Sequence, residues 1–398
     1  MRRLVAILAL LIAGALAAWL WPRAQGSAGN GDAGGSLVDA LGAGQSAGYR
    51  VVTGPRRLVF PRDDGPHPGY RDEWWYFTGN LETAAGRHFG FELTFFRVAL
   101  APGKARGTAD WSGHQVYMAH LAITDVRDDR FRYRERVSRT GPGIAGARAP
   151  TAKRPFRVWL HDWSATGKRP GRLFPLTLSA GSDALGVQLN LHSEKPPVLQ
   201  GDHGYSRKGP APGEASYYYS FTRLATRGRL RIGGRTFRVT GTSWMDHEWS
   251  SSVLDHSQVG WDWFALHLDD GRDLMFYRLR RRDGQPSRYT YAIVVDPRGR
   301  VRHLDAARVH LEVTGHWQSP HSGTDYPSGW RLTLRPLGLT LRVRPMIRDQ
   351  ELRGIVNYWE GAVDVSGQGR HGTVRGQGYV ELTGYGRNTD AGAGGSGR

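Results

Sequence analysis

The chain has 398 residues, a formal net charge of +18 and no cysteine. The absence of thiols excludes disulfides, thiolate metal sites and a lipoprotein anchor, which needs a cysteine at its cleavage point. Glycine (54) is plentiful beside 14 Trp, 16 Tyr and 13 Phe, a balance that predicts short strands joined by tight turns rather than long helices.

In chain order, Met1-Arg2-Arg3 followed by the apolar run Leu4–Leu20 reads as an export signal. Ala15-Leu16-Ala17 resembles a cleavage site, while Trp19-Leu20-Trp21 extends the run toward the length of an uncleaved anchor. The signal or anchor is assigned to 1–22 and a Gly/Ala/Ser-rich tether to 23–48, so the body of the protein is expected outside the cytoplasm, in the periplasm or cell envelope. Strand patterning then continues almost without interruption. The clearer runs are Trp74–Leu81, Phe89–Leu100, Gln115–Asp125, Phe156–Trp163, Leu185–His192, Tyr217–Leu224 and Gly228–Trp244. Trp261–Leu268, Leu274–Arg280, Tyr289–Val295, Val309–Thr314, Gly329–Pro336, Leu339–Pro345, Tyr358–Val365 and Gly376–Thr383 follow, and 391–398 is a flexible tail.

Two aromatic hairpins resemble each other. Trp75-Tyr76-Phe77 leads through a Gly86-Arg87 turn to Phe95-Phe96-Arg97, and Asp262-Trp263-Phe264 leads through Gly271-Arg272 to Phe276-Tyr277-Arg278. The repeat fits an all-β chain of two tandem barrels, each of about eight strands, whose closure hides sheet edges and leaves an interior for one apolar ligand. Alternating arginines (227, 229, 231; 278, 280, 282; 342, 344) read as the wet faces of strands. They also suit an anionic membrane surface. No clustered reader motif for nucleic acid is present.

The densest chemistry lies in Gly241–Ser251. An extended segment points Met245, His247 and Trp249 one way and Trp244, Asp246 and Glu248 the other. Neighbouring carboxylates raise one another's pKa, which keeps an acid protonated near neutrality. The structural alternative is a satisfied buried polar network. Two other segments can line a ligand cavity: the acids that precede Trp74, Trp75 and Tyr76, and the polar loop with Tyr205 and Arg207 that leads to Tyr218. Gly44-Gln45-Ser46-Ala47-Gly48 lacks the strand and helix of a nucleophile elbow, and Gly367–Gly372 joins strands rather than opening a helix. No histidine and carboxylate set has metal-ligand spacing along the sequence, so no metal is expected.

Asp-Glu-Trp-Trp-Tyr-Phe at 72–77, Gly-Tyr-Ser-Arg-Lys-Gly at 204–209, Ser-Trp-Met-Asp-His-Glu-Trp at 243–249 and Gly-Trp-Asp-Trp-Phe at 260–264 resemble the AttH-like and carotenoid 1,2-hydratase family. Tyr-Trp-Glu-Gly at 358–361 and Gly-Tyr-Val-Glu-Leu-Thr-Gly-Tyr at 378–385 extend the resemblance, which runs from Tyr49 to Arg387. It implies two lipocalin-like β-barrel domains, assigned to 49–248 and 249–390, with a cavity near their junction. In the hydratase branch it implies cofactor-free addition of water to an isolated C=C bond of an acyclic carotenoid. A histidine two residues before a tryptophan belongs to that site, which His247 and Trp249 match; Tyr277 matches its tyrosine, and Leu279 stands where an acid is wanted. The AttH-like branch implies a secreted protein associated with ABC transport.

The expected chemistry is protonation of an alkene by Asp246 or Glu248, stabilisation of the cation by the faces of Trp249, Trp261 or Trp263, and removal of a water proton by His247. Asp262, Trp244 and the aromatic residues named above complete the expected ligand site. The competing expectation is a carrier that moves a carotenoid, terpenoid or lipid to or from a transporter permease without chemistry. No nucleophile and base pair supports a hydrolase.

Overall fold

The computed structural model describes residues 35–36, 47–102, 114–251, 254–255, 257–370 and 372–386, which lie in one compact unit. The signal or anchor at 1–22, most of the tether and the tail at 391–398 lie outside the described residues.

Alternating apolar and polar residues, dense in aromatic and β-branched side chains, build long antiparallel strands. The first sheet comprises β1 (Asp72–Glu82), β2 (His88–Ala99), β3 (Gln115–Asp125), β4 (Arg130–Arg139), β5 (Ala145–Arg148), β6 (Arg157–Leu160), β7 (Trp163–Gly167), β8 (Leu176–Gly181), β9 (Leu185–Ser193), β10 (Ala215–Ile232) and β11 (Arg235–Ser250). The second comprises β12 (Gln258–Leu268), β13 (Asp273–Arg281), β14 (Tyr291–Val295), β15 (Val301–Asp305), β16 (Val309–Val313), β17 (Trp330–Leu334), β18 (Leu339–Pro345), β19 (Val356–Gly369) and β20 (Gly372–Leu382). With short flanking strands they form a 13-stranded and an 11-stranded sheet.

Both sheets follow one plan. The first strand pairs with the last, β1 with β11 and β12 with β20, so each sheet curls back on itself. The single seam falls between consecutive strands, β4 and β5 in one sheet and β15 and β16 in the other. The result is two nearly closed barrels in tandem, and the two similar aromatic hairpins are the opening strands of each. The helical content of the described residues is three short 3-10 turns.

The structure redraws some of the expected strands. Gly228–Trp244 is not one strand: the chain reverses at Gly233-Gly234, both with positive φ (56° and 76°), which only glycine adopts freely. Phe156–Trp163 is likewise a hairpin, β6 and β7. Arg278 and Arg280 are not on a wet face; both reach the fully buried Asp262.

Three apolar cores result. One fills the first barrel, with Trp75, Phe77, Met245 and Trp249. One fills the second, with Phe264, Phe276, Trp330 and Trp359. The third lies between the barrels and is made by the outward rows of both: Tyr76, Phe96, Tyr218 and Trp244 meet Trp261, Trp263, Tyr277 and Tyr358. Tyr76 and Trp263 meet edge to face at 5.1 Å. The expected ligand space inside each barrel is therefore occupied by packed side chains, because large aromatic and aliphatic residues point inward from the strands.

Hydrogen bonds lock the barrels together. Asn80 Nδ2 donates to Gly378 O (2.9 Å), and Thr124 Oγ1 donates to Gln350 Oε1 (2.6 Å). At one end the buried Asp273 receives Thr222 Oγ1 (2.9 Å), Arg223 Nε (2.9 Å) and Lys195 Nζ (2.7 Å) from the first barrel. Removing one partner of such a buried pair leaves an uncompensated charge, at a cost of about 3–5 kcal/mol. Asp273→Ala is expected to lose about that much in urea denaturation, and a loss below about 1 kcal/mol would show that this contact does not hold the barrels together.

Candidate functional site between the barrels

Strand β11 carries the site because both of its faces are buried. Every residue from Ser243 to Ser250 is inaccessible or nearly so. Met245, His247 and Trp249 enter the first barrel; Trp244, Asp246 and Glu248 face the second. The alternation is the one expected from the sequence, and it divides the candidate residues into two constellations on opposite sides of one strand.

The outward constellation lines a cavity of about 40 Å³ between the barrels. Register sets its walls. From the first barrel, Tyr218, Glu248, Trp74 and Phe96 stand in one cross-strand row, and Ser220, Asp246 and Tyr76 in the next. From the second, Glu360, Glu381, Trp263 and Tyr277 form a facing row. Trp261 and Lys208 complete the lining.

Within it, Asp246 accepts three hydrogen bonds: from Tyr218 OH (2.6 Å), Ser220 Oγ (2.5 Å) and Trp244 Nε1 (2.6 Å). Burial nevertheless pushes its carboxyl up to about 7, with the nearby Glu248 adding to the rise. Glu248 forms an ion pair with Lys208 (2.9 Å) and also accepts from Ser216 Oγ. Lys208 Nζ lies over the Tyr277 ring at 4.3 Å. Glu360 and Glu381 are directly opposite each other on paired strands, where two negative charges repel. Burial and then Asp246 and Glu248 raise Glu381 to about 8, although Trp261 Nε1 donates to it (3.1 Å). Burial and then Glu381 and Glu92 hold Glu360 protonated well above the ordinary range. Tyr76 OH donates to Glu360 Oε2 (3.0 Å), and the other oxygen has no partner. The cavity thus presents carboxylic acids and carboxylates side by side among aromatic faces, from which a proton can be given and to which one can be returned.

The inward constellation is a closed network. Glu73 Oε1 lies 2.8 Å from His67 Nδ1 and 2.9 Å from His247 Nε2, and Arg97 Nε donates to Oε2 at 2.9 Å. His67 stacks on Trp249 (centroids 3.7 Å apart), and His247 on Trp75 (4.8 Å). Burial drives His247 down to about 4. Glu73 is held below the ordinary carboxylate range: burial opposes this, but Arg97 and the two imidazoles outweigh it. His67, Glu73 and His247 offer three ligand atoms within 4.8 Å of one another, a metal-like set that the sequence spacing did not reveal. Those atoms are already bonded to one another, and the Arg97 guanidinium on the shared carboxylate opposes a second cation.

Of the other candidates, Trp74, Tyr76, Tyr218, Trp261, Trp263 and Tyr277 line the cavity, and Trp244 supports Asp246. His247, Trp249 and Trp75 do not reach it, since they project into the first barrel. Asp262 is also absent from the lining: Arg278, Arg280 and Tyr385 use its carboxylate. Tyr205 and Arg207 line a separate surface cleft. Lys208, Glu360 and Glu381 also line the cavity and were not among the expected residues, although each stands inside a motif quoted above. The available signal was a single acid set among apolar strand residues, as in Tyr379-Val380-Glu381-Leu382.

A family model described as AttH-like matches residues 51–385. The chain belongs to the AttH-like family. It is similar to the crystal structure of a protein assigned as AttH from Nitrosomonas europaea, with 33% identity and a TM-score of 0.73, covering 85% of this chain and 100% of that one. It is also similar in fold to kievitone hydratase from Nectria haematococca, with 13% identity and a TM-score of 0.63, covering 89% of this chain and 96% of that one. No curated protein matches the chain.

Glu92, beside this site, gives a direct test of the buried acids. It is fully buried, and burial, then the charge of Glu381, raise its pKa far above the ordinary value against the lowering effect of the Thr94 hydroxyl. A raised folded pKa means the folded protein keeps a proton that the unfolded chain releases above about 4.3. Stability from this group is complete below that pH and is lost as pH rises. Glu92→Gln is expected to match the parent near pH 3 and to exceed it at pH 8, removing a slope of up to about 1.4 kcal/mol per pH unit in denaturation. Equal pH dependence of the two proteins would show that Glu92 is ionised in the fold.

Proposed function

We propose that this AttH-like protein binds an apolar ligand between its barrels and adds water to an isoprenoid C=C bond there, as a cofactor-free, hydratase-like enzyme. The observation that carries the reading is that Asp246 and the directly opposed Glu360 and Glu381 line one aromatic cavity buried between the barrels. The opposed Glu360–Glu381 pair supplies the proton. The alkene π electrons form the new C–H bond, leaving a tertiary cation that the faces of Trp263 and Trp74 stabilise. A water lone pair forms the C–O bond, the Asp246 carboxylate accepts the proton that water loses, and return of that proton from Asp246 to the ionised glutamate pair resets the site, so no proton is gained or lost overall. His247 takes no part in this scheme, because it lies on the other face of β11. A polyene is larger than the 40 Å³ cavity, so binding requires the aromatic walls to turn aside.

Activity is expected to rise as Asp246 ionises through pH 7 and to fall as Glu381 deprotonates above pH 8, giving a narrow bell. Asp246→Asn and Glu381→Gln are each expected to lower kcat by about 10²–10⁴-fold, read as mass gain of one water on an acyclic carotenoid or terpenoid. Full turnover in both variants would remove the mechanism.

A second reading is a non-catalytic carrier of a lipid or terpenoid in the cell envelope, working with an ABC transporter permease. The charge of +18 and the export-like start of the chain favour it, since basic surfaces gather at anionic leaflets. Recovery of the bound ligand unchanged after incubation, with transfer to anionic vesicles, would select it.

A further inference from the structure

A cleft of about 890 Å³ opens between the barrels on the side of the 197–207 loop and strands β14 and β15. It is far roomier than the acid cavity, and a packed tyrosine pair joins their linings. Tyr291 lines the cleft, is hydrogen-bonded to Ser206 Oγ (3.2 Å) and packs its ring 6.0 Å from that of Tyr277, which lines the cavity. Adjacent residues of one loop also divide between the two spaces: Arg207 lines the cleft and Lys208 the cavity.

The cleft has a specific cationic feature. Arg207 and Arg288 come from different barrels and converge on Tyr289, with guanidinium carbons 5.1 and 5.0 Å from its ring centroid. Both donate to Tyr289 OH, at 3.4 and 2.8 Å. Among the described residues neither has a carboxylate within ion-pair distance. Of the acids in the cleft, Asp305 lies 3.6 Å from Arg308 Nε, and Asp202 lies 3.8 Å from His203 Nε2. Two guanidinium groups held on one phenol, with donors to spare, match a carboxylate or phosphate.

We propose that this cleft is the subsite for the anionic end of an amphiphilic ligand, held by Arg207 and Arg288, whose apolar chain passes Tyr291 into the acid cavity. The inference rests on the cavity reading above and narrows its ligand from any isoprenoid to one that carries a carboxylate or phosphate terminus. It also gives the long ligand a place for the part that the small cavity does not hold.

The test uses cis-parinaric acid and its methyl ester, titrated against the full chain by energy transfer from tryptophan, with dodecyl phosphate, dodecanoate and uncharged dodecanol as competitors. The acid is expected to bind at least tenfold more tightly than the ester, and the Arg207→Gln/Arg288→Gln double variant to lose that preference while binding the ester as before. Displacement by dodecyl phosphate but not by dodecanoate would assign the site to phosphate, and the reverse to carboxylate; either supports the proposal. Equal affinity for acid and ester, or a preference that survives in the double variant, overturns the anionic subsite and leaves the cavity reading standing, because ester binding reports the cavity alone. Failure of both probes to bind overturns the subsite and counts against the cavity as well.

Discussion

The structure depends on burying the outer faces of two barrels against each other. A barrel normally turns its outward residues to water, and its strands alternate apolar and polar accordingly. Here β1, β2 and β11 of the first barrel have no wet face along the junction, so both sets of side chains must be satisfied without solvent. The inward set does so by apolar packing and by the His67–Glu73–His247–Arg97 network. The outward set does so against the second barrel, through Tyr76–Glu360, Asn80–Gly378 and the bonds to Asp273.

That burial sets the chemistry. Carboxyl groups enclosed without a neighbouring cation keep their protons, since an unpaired charge in a dry interior is far more costly than a protonated acid. Glu92, Glu360 and Glu381 lie in this environment, and their number magnifies the effect because each would repel the others if ionised. Glu73 shows the contrary outcome: equally buried, it is ionised because Arg97 and two imidazoles surround it. Depth within the fold is therefore not what distinguishes an acid from a base here. The presence or absence of a cation in the same row is.

Much of this was legible in the sequence, and the reason for the remainder is physical. Tandem barrels followed from the strand patterning and the repeated hairpin, since each hairpin opens a sheet. The opposite facing of Asp246 and His247 followed from the period of two along an extended segment. What a single strand does not record is what lies beyond each face. His247 and Asp246, adjacent in sequence, read as partners in one site, yet the strand itself separates them. Glu360 and Glu381 were not singled out, because only the second barrel's packing on the first removes the water around them. The ion pair of Lys208 with Glu248 depends on a 40-residue excursion that returns the 205–208 segment to β11 by pairing with β10. The reversal at Gly233-Gly234 was visible as a turn signal but was obscured by the alternation of arginine with apolar residues, which continues on both sides of it.

The claim that most needs testing is that ligand occupies the junction and not a barrel interior. A diazirine-bearing isoprenoid, photolysed on the full chain and mapped by peptide mass spectrometry, addresses it directly. Labelling of Trp74, Trp263 or Tyr277 is the predicted result, since these line the junction cavity. Labelling confined to Trp75, Met245 or Trp249, which line the first barrel's interior, would contradict the account.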